Sequence, residues 1–122
     1  MTIVIVEDDA QFRGALALLL RGMGIEVLAE MPDGQAAIEL LARQHPDLIL
    51  TDCQMPRLDG IALVRRLRAR GDQTPVIMIS GQREKQIRDL ALAAGVSQYL
   101  FKPLSSGALE RAIGQTLAGK AA

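Results

Sequence analysis

Three acids, a hydroxyl and a lysine stand where apolar runs of this chain end. Glu7 and Asp8 follow Ile3-Val4-Ile5-Val6, Asp52 follows Leu48-Ile49-Leu50-Thr51, Ser80 follows Val76-Ile77-Met78-Ile79, and Lys102 follows Tyr99-Leu100-Phe101. Short apolar runs bounded by turn residues read as strands buried on both faces, so each polar residue lies at or just past a strand's carboxyl end. In open α/β sheets the ligand crevice lies above those ends. A half-desolvated carboxylate there is costly unless a cation or hydrogen-bond donors meet it, and neighbouring carboxylates repel one another until a cation sits among them. Oxygen ligands alone select a hard divalent ion. Mg²⁺ fits best, because it accepts one or two carboxylates plus waters and completes its shell with phosphate oxygens. A metal, a hydroxyl and an ammonium around one carboxylate are what phosphoryl transfer needs, since charge gathers on the equatorial oxygens of the moving group. Asp52, nearest the centre, is the candidate nucleophile and would form an acyl phosphate.

The elements that must position these residues alternate strictly. After the first strand, Phe12, Leu16, Leu19, Leu20 and Met23 make one stripe of a helix ended by Gly22 and Gly24. Ile25 to Ala29 is a short mixed strand of edge character, and Pro32-Asp33-Gly34 turns the chain with Asp33 placed to cap the next helix. That helix packs Ala37, Leu40 and Leu41 inward and is expected to end at His45-Pro46. The loop Met55 to Gly60 leads from the Asp52 strand into a helix with Ile61, Val64 and Leu67 inward; Ile87, Leu90, Ala91 and Ala94 stripe the fourth helix, which Gly95 closes. Leu109, Ala112, Ile113 and Leu117 face inward on the fifth, with Ser105 as its cap. Strand-helix alternation with doubly apolar strands predicts an α/β fold: a five-stranded, doubly wound parallel sheet of flavodoxin-like order 2-1-3-4-5, helices on both faces. Strands one and three are then neighbours, and Glu7, Asp8 and Asp52 converge. A single domain over residues 1–122 is expected, with 118–122 a frayed end or the start of a linker.

Composition narrows the function classes. The 122 residues are 49% apolar but only 2% aromatic, so the core is aliphatic and the chain is no disordered segment. Fourteen basic and fourteen acidic residues cancel, which leaves no global field to draw the domain onto nucleic acid or a membrane surface. One cysteine forms no internal disulfide, and one histidine removes most imidazole-based metal and triad chemistry. Neither a signal peptide nor a membrane span is legible, and a reducing, cytoplasmic setting is expected.

The combination Val6-Glu7-Asp8-Asp9, Thr51-Asp52-Cys53-Gln54-Met55-Pro56 with Asp59-Gly60, Ile79-Ser80-Gly81 and Tyr99-Leu100-Phe101-Lys102-Pro103 resembles the receiver domain of two-component response regulators. The likeness covers nearly the whole chain, and its specificity comes from separated signatures in the family's order and spacing. It implies that Asp52 accepts a phosphoryl group from the phosphohistidine of a histidine kinase or histidine phosphotransfer protein. It implies that Asp8 binds Mg²⁺ directly and Glu7 through water, with Asp52 and the backbone carbonyl of Gln54 completing the protein ligands. Ser80 and Lys102 would contact the phosphoryl oxygens, Ser80 and Tyr99 would switch, and Gln54 and Gln82 fall where the family tunes dephosphorylation. The Lys102-Pro103 bond is expected to be cis. Output would leave through the face of the fourth helix, fifth strand and fifth helix, a face also suited to a homodimer, toward an output domain that this chain does not contain. The domain itself would be no general enzyme, catalysing only its own phosphorylation and dephosphorylation.

Plainer readings stand beside these. A strand-end Asp alone is most often a cap or turn residue; Asp52 departs from that only in company with Glu7, Asp8, Ser80 and Lys102. Asp9 reads as a first-turn acid of helix one, Cys53 as a small hydrophobe without a role, and His45 as solvated. Arg65, Arg66, Arg68 and Arg70 read as a solvated face rather than a nucleic-acid patch. Among rival functions, an aspartate-nucleophile phosphatase of haloacid-dehalogenase type would carry an acid where Gln54 stands, a flavin carrier would want aromatic loops, and a degenerate docking receiver would not need the intact acids, hydroxyl and lysine.

Overall fold

The structure, a computed structural model, describes residues 1–121, the side chains of 120 and 121 apart. Five strands alternate with five helices: β1 Thr2–Val6, α1 Ala10–Gly22, β2 Glu26–Met31, α2 Gly34–Leu40, β3 Leu48–Thr51, α3 Gly60–Ala69, β4 Val76–Ser80, α4 Lys85–Ala94, β5 Gln98–Phe101 and α5 Ser106–Ala121. All strand pairs are parallel, in the order β2-β1-β3-β4-β5. The doubly wound, flavodoxin-like fold predicted from the alternation is the fold adopted.

The period-2 alternation of the central strands divides the core into two aliphatic layers. Ile3, Ile5, Leu48, Leu50, Ile77 and Ile79 face Leu16 and Leu20 of α1 and Leu109 and Ile113 of α5. Val4, Val6, Ile49 and Met78 face Ala37 of α2, Leu63, Val64 and Leu67 of α3, and Ala91 of α4. Ile3 to Val6 and Leu48 to Leu50 are fully buried, each large side chain contributing about 1.5–3 kcal/mol of burial. These strands are therefore rigid mounts for whatever follows them.

Element ends depart from the sequence reading in several places. β2 runs to Met31 rather than stopping at Ala29, with a bulge opposite Ile3 and Val4 that shifts its register. α2 stops at Leu40, capped by Leu41, and a turn separates it from Pro46, where the amides of Ala42 and Arg43 bond three residues back, to the carbonyls of Glu39 and Leu40. Leu90 is 50% exposed instead of lying on the inner stripe of α4, which Ala91 occupies. Helix α5 continues through Ala121, so most of the stretch 118–122 lies in regular helix; residue 122 lies outside the described residues. Asp33 and Ser105 cap as expected, through Ala36 N–H at 2.8 Å and Ala108 N–H at 3.1 Å. Asp9 caps α1 from outside its first turn, its carboxylate accepting from the amides of Gln11 and Phe12. Gly95, at φ 114°, closes α4. No helix among the described residues is long and apolar enough to cross a membrane.

Candidate functional site

Each candidate residue sits at the carboxyl end of its strand, where the ladder of the sheet extends into the loops. Val6 lies beside Thr51 in the β1/β3 register, and the amide of Asp52 donates to the Val6 carbonyl at 3.0 Å. Asp52 is thereby set next to Glu7. On the far side Ser80 pairs with Phe101, and the Lys102 amide donates to the Ser80 carbonyl at 2.9 Å. The peptide between Lys102 and Pro103 is cis.

The acids converge. One carboxylate oxygen each from Glu7, Asp8 and Asp52 lie within 4.8 Å of one another. Glu7 is buried at 2% exposure, Asp8 is exposed and Asp52 lies between. Lys102 Nζ reaches back across the sheet edge to donate to Glu7 Oε1 at 2.8 Å and Asp52 Oδ2 at 3.3 Å, with the Phe12 ring 4.4 Å beneath it. Burial raises the Glu7 pKa above the usual glutamate range, the Asp52 charge adding to the effect while Lys102 and the Asp9 amide hold it back. Burial alone would lower the Lys102 pKa; its hydrogen bond to Glu7 and the charges of Asp52 and Glu7 outweigh that and raise it. Three carboxylates against one ammonium leave a local excess of negative charge at a partly dry rim, and their donors are all hard oxygens. That set fits a divalent cation such as Mg²⁺.

A second group surrounds Gln82. Ser80, 1% exposed, accepts the Gln82 amide on Oγ at 3.0 Å, and the Tyr99 hydroxyl donates to the Gln82 carbonyl at 2.8 Å. The Gln82 side chain donates to Gln54 Oε1 at 2.9 Å, spanning from the β4–α4 loop to the β3–α3 loop. Arg83 stacks 4.7 Å from the Phe101 ring and donates to the Lys102 carbonyl. Ser80 and Tyr99 thus hold the two main-chain groups of one residue, Gln82.

Residues 3–114 match the response regulator receiver domain family. The chain is a receiver domain of that family. Response regulator MprA of Mycobacterium leprae is 36% identical to it over 107 residues, which are 86% of this chain and 46% of that protein. The receiver domain of the NarL response regulator of Mycobacterium tuberculosis aligns with a TM-score of 0.92 at 30% identity, covering 97% of this chain and 96% of its own. The receiver domain of a sensor histidine kinase of Pseudomonas aeruginosa PAO1 aligns with a TM-score of 0.87 at 31% identity, covering 96% and 97%, and has a magnesium ion coordinated in its active site cleft. This receiver spans about a third to about half the length of the curated relatives it matches. It is a signalling domain of two-component systems, whose receivers work with histidine kinases.

Every candidate site residue falls in or beside this rim. Four other contacts had no legible pattern: Arg13 donating to the Glu7 carbonyl at 2.8 Å, Phe12 under Lys102, Arg83 on Phe101, and Arg57 on the buried Asp33. Each joins residues through tertiary contact or an unforeseen turn of the chain. The arginine run is also corrected in part: Arg68 is a half-buried clamp donating to the carbonyls of Asp72, Thr74 and Gly95, and Arg70 donates to the Ile38 carbonyl. Cys53 is buried, and burial first, with the Asp59 and Asp52 charges behind it, pushes its thiol up to about 11. That makes it inert.

Proposed function

We propose that this receiver is a phosphoacceptor switch in which Asp52 takes a phosphoryl group from the phosphohistidine of a histidine kinase or histidine phosphotransfer protein. The reading is carried by one observation: Lys102 Nζ bridges Glu7 and Asp52 while the oxygens of Glu7, Asp8 and Asp52 crowd within 4.8 Å. Asp8, Asp52 and the Gln54 carbonyl would hold Mg²⁺ directly, and Glu7 through water. The ion supplies charge neutralisation for the phosphoryl oxygens and for the acids that face them. Asp52 Oδ1 is held by the Cys53 amide at 2.6 Å, which leaves Oδ2, on the Lys102 side, as the attacking oxygen. A bond forms from Oδ2 to phosphorus as the P–N bond breaks, and its electron pair departs with the imidazole. The Lys102 ammonium and the Ser80 hydroxyl neutralise and hydrogen-bond the transferred oxygens, positioned in advance by β4 and β5.

Switching follows from what Ser80 must give up. Turning its hydroxyl toward a phosphoryl oxygen frees the Gln82 amide, and the carbonyl of the same residue is held by Tyr99. The phosphoryl group shifts the population only by binding the rearranged loop better. The α4–β5–α5 face, with Leu90 and Leu92 half exposed on α4, is the proposed output and homodimer surface, handing the signal to an output domain without nucleic-acid contact by the receiver. Loss of the phosphoryl group to water, tuned by Gln54 and Gln82, resets the domain, and its catalysis is confined to its own phosphorylation and dephosphorylation. We place this chemistry in the cytoplasm.

The test is incubation with acetyl phosphate and MgCl₂ followed by intact-mass measurement. One phosphoryl group is expected on wild type, and none on Asp52→Asn or after chelation. Unmodified wild type would leave a docking domain as the better reading.

A further inference from the structure

Arg57 is, among the described residues, the non-glycine residue with positive φ, at 68°, a conformation L side chains rarely adopt. It lies in the β3–α3 loop three residues after Gln54. Its guanidinium folds onto Asp33 at the start of α2, Nε at 3.0 Å and Nη2 closer still, both on Oδ2. The Asp33 side chain is 3% exposed and the Arg57 side chain 68%. Asp33 Oδ1 is meanwhile occupied by the Ala36 amide, so one buried carboxylate fastens both α2 and the loop. Backbone packing seals the same junction: a Cβ on Gly34 would fall 2.1 Å from the Leu58 carbonyl oxygen. At the loop's other flank the Gly60 amide donates to the Cys53 carbonyl at 2.7 Å. Between these anchors Gln54 is tied through its side chain to Gln82 and Met55 packs against the core, while no hydrogen bond among the described residues holds the Gln54 main chain.

We propose that Asp33 and Arg57 are positioning residues for the cation site: their ion pair sets the loop so that the Gln54 carbonyl faces the acids Glu7, Asp8 and Asp52. The inference rests on the reading of those acids as a Mg²⁺ site. The competing account is that backbone packing alone sets the loop and the pair only adds stability. Arg57→Gly separates the two, because glycine accepts the positive φ while the ion pair is lost. Asp33→Asn keeps an α2 cap and removes the charge.

The experiment titrates MgCl₂ into each protein by calorimetry and measures phosphorylation by acetyl phosphate at subsaturating and saturating Mg²⁺. Arg57→Gly and Asp33→Asn should each raise the Mg²⁺ Kd about tenfold, the size seen when groups that orient metal ligands are removed. The double variant should be no worse than either single, Arg57→Lys should recover part of the loss, and saturated rates should stay within about twofold of wild type. Cooperatively melting Arg57→Gly and Asp33→Asn proteins with the wild-type Kd would overturn the proposal, as would losses that multiply in the double variant. Should Arg57→Gly fail to fold, Asp33→Asn and Arg57→Lys decide the matter by the same comparison. Wild type that binds no Mg²⁺ would instead overturn the underlying site reading, and the proposal with it.

Discussion

Lys102 Nζ and Glu7 Oε1 lie 2.8 Å apart, although they stand at the ends of the last and first strands with β3 and β4 between them. The ammonium occupies the position where an extra positive charge is most needed, against a carboxylate that is nearly dry. It also competes there with any metal for the same acids.

Lys102→Ala should therefore separate binding from chemistry. Without the ammonium the acids attract a cation more strongly, so the Mg²⁺ Kd should fall by roughly threefold or more. Phosphorylation of Asp52 by acetyl phosphate should slow by roughly 10²-fold, the usual loss when a preorganised charge is removed. Calorimetry and a mass-based time course check both; slower phosphorylation explained wholly by weaker Mg²⁺ binding would contradict the assignment.

Glu7 contributes to the pH dependence of the metal-free domain. Its folded-state pKa is raised, chiefly by burial, above the unfolded value of about 4.3. The folded state then holds this proton more tightly, so the associated stability is present below that value and is lost as pH rises through the folded pKa. Melting curves in chelator should show wild type losing stability upward from about pH 4.3, with Glu7→Gln flatter over the same window. Saturating Mg²⁺ should restore the wild type at neutral pH, by about 1.4 kcal/mol at ten times its Kd.

Gly60 packs its Cα against the Asp52 backbone, and a Cβ there would fall 2.1 Å from the Asp52 carbonyl oxygen. Gly60→Ala should cost at least about 2 kcal/mol, since backbone cannot yield as a side chain does. It should also impair phosphorylation by moving the nucleophile. Gly14→Ala meets nothing within 4 Å inside α1 and should stabilise by about 0.5–1 kcal/mol. Chemical denaturation of both variants tests the contrast.

Cys53, its thiol pushed up to about 11, should resist alkylation by iodoacetamide at pH 8, where only about one thiol in a thousand would be thiolate. Labelling should become complete in denaturant. Rapid labelling of the native protein would show that the thiol is reached by solvent.

The continuous apolar runs, the period-3.6 helix stripes and the order of acids, hydroxyl and lysine pointed to the sheet and to the residues that meet at its rim. Ile3 to Val6 and Leu48 to Leu50 are apolar at every position and helices alternate with them, the combination expected of a parallel sheet covered on both faces, and the expected strand order then places Glu7 beside Asp52. The bulge in β2, the early end of α2 and the outward turn of Leu90 escaped because local hydrogen bonds and packing set element ends.

What tertiary structure alone decided is which long side chains cross between elements. Arg57 and Arg68 look in the sequence like any loop or surface arginine, yet one closes on a buried Asp33 and the other gathers three carbonyls. Their partners lie up to 27 residues away along the chain, at distances that periodicity does not encode. A guanidinium on a flexible stem takes its role from whichever buried acceptors the packed elements leave within reach.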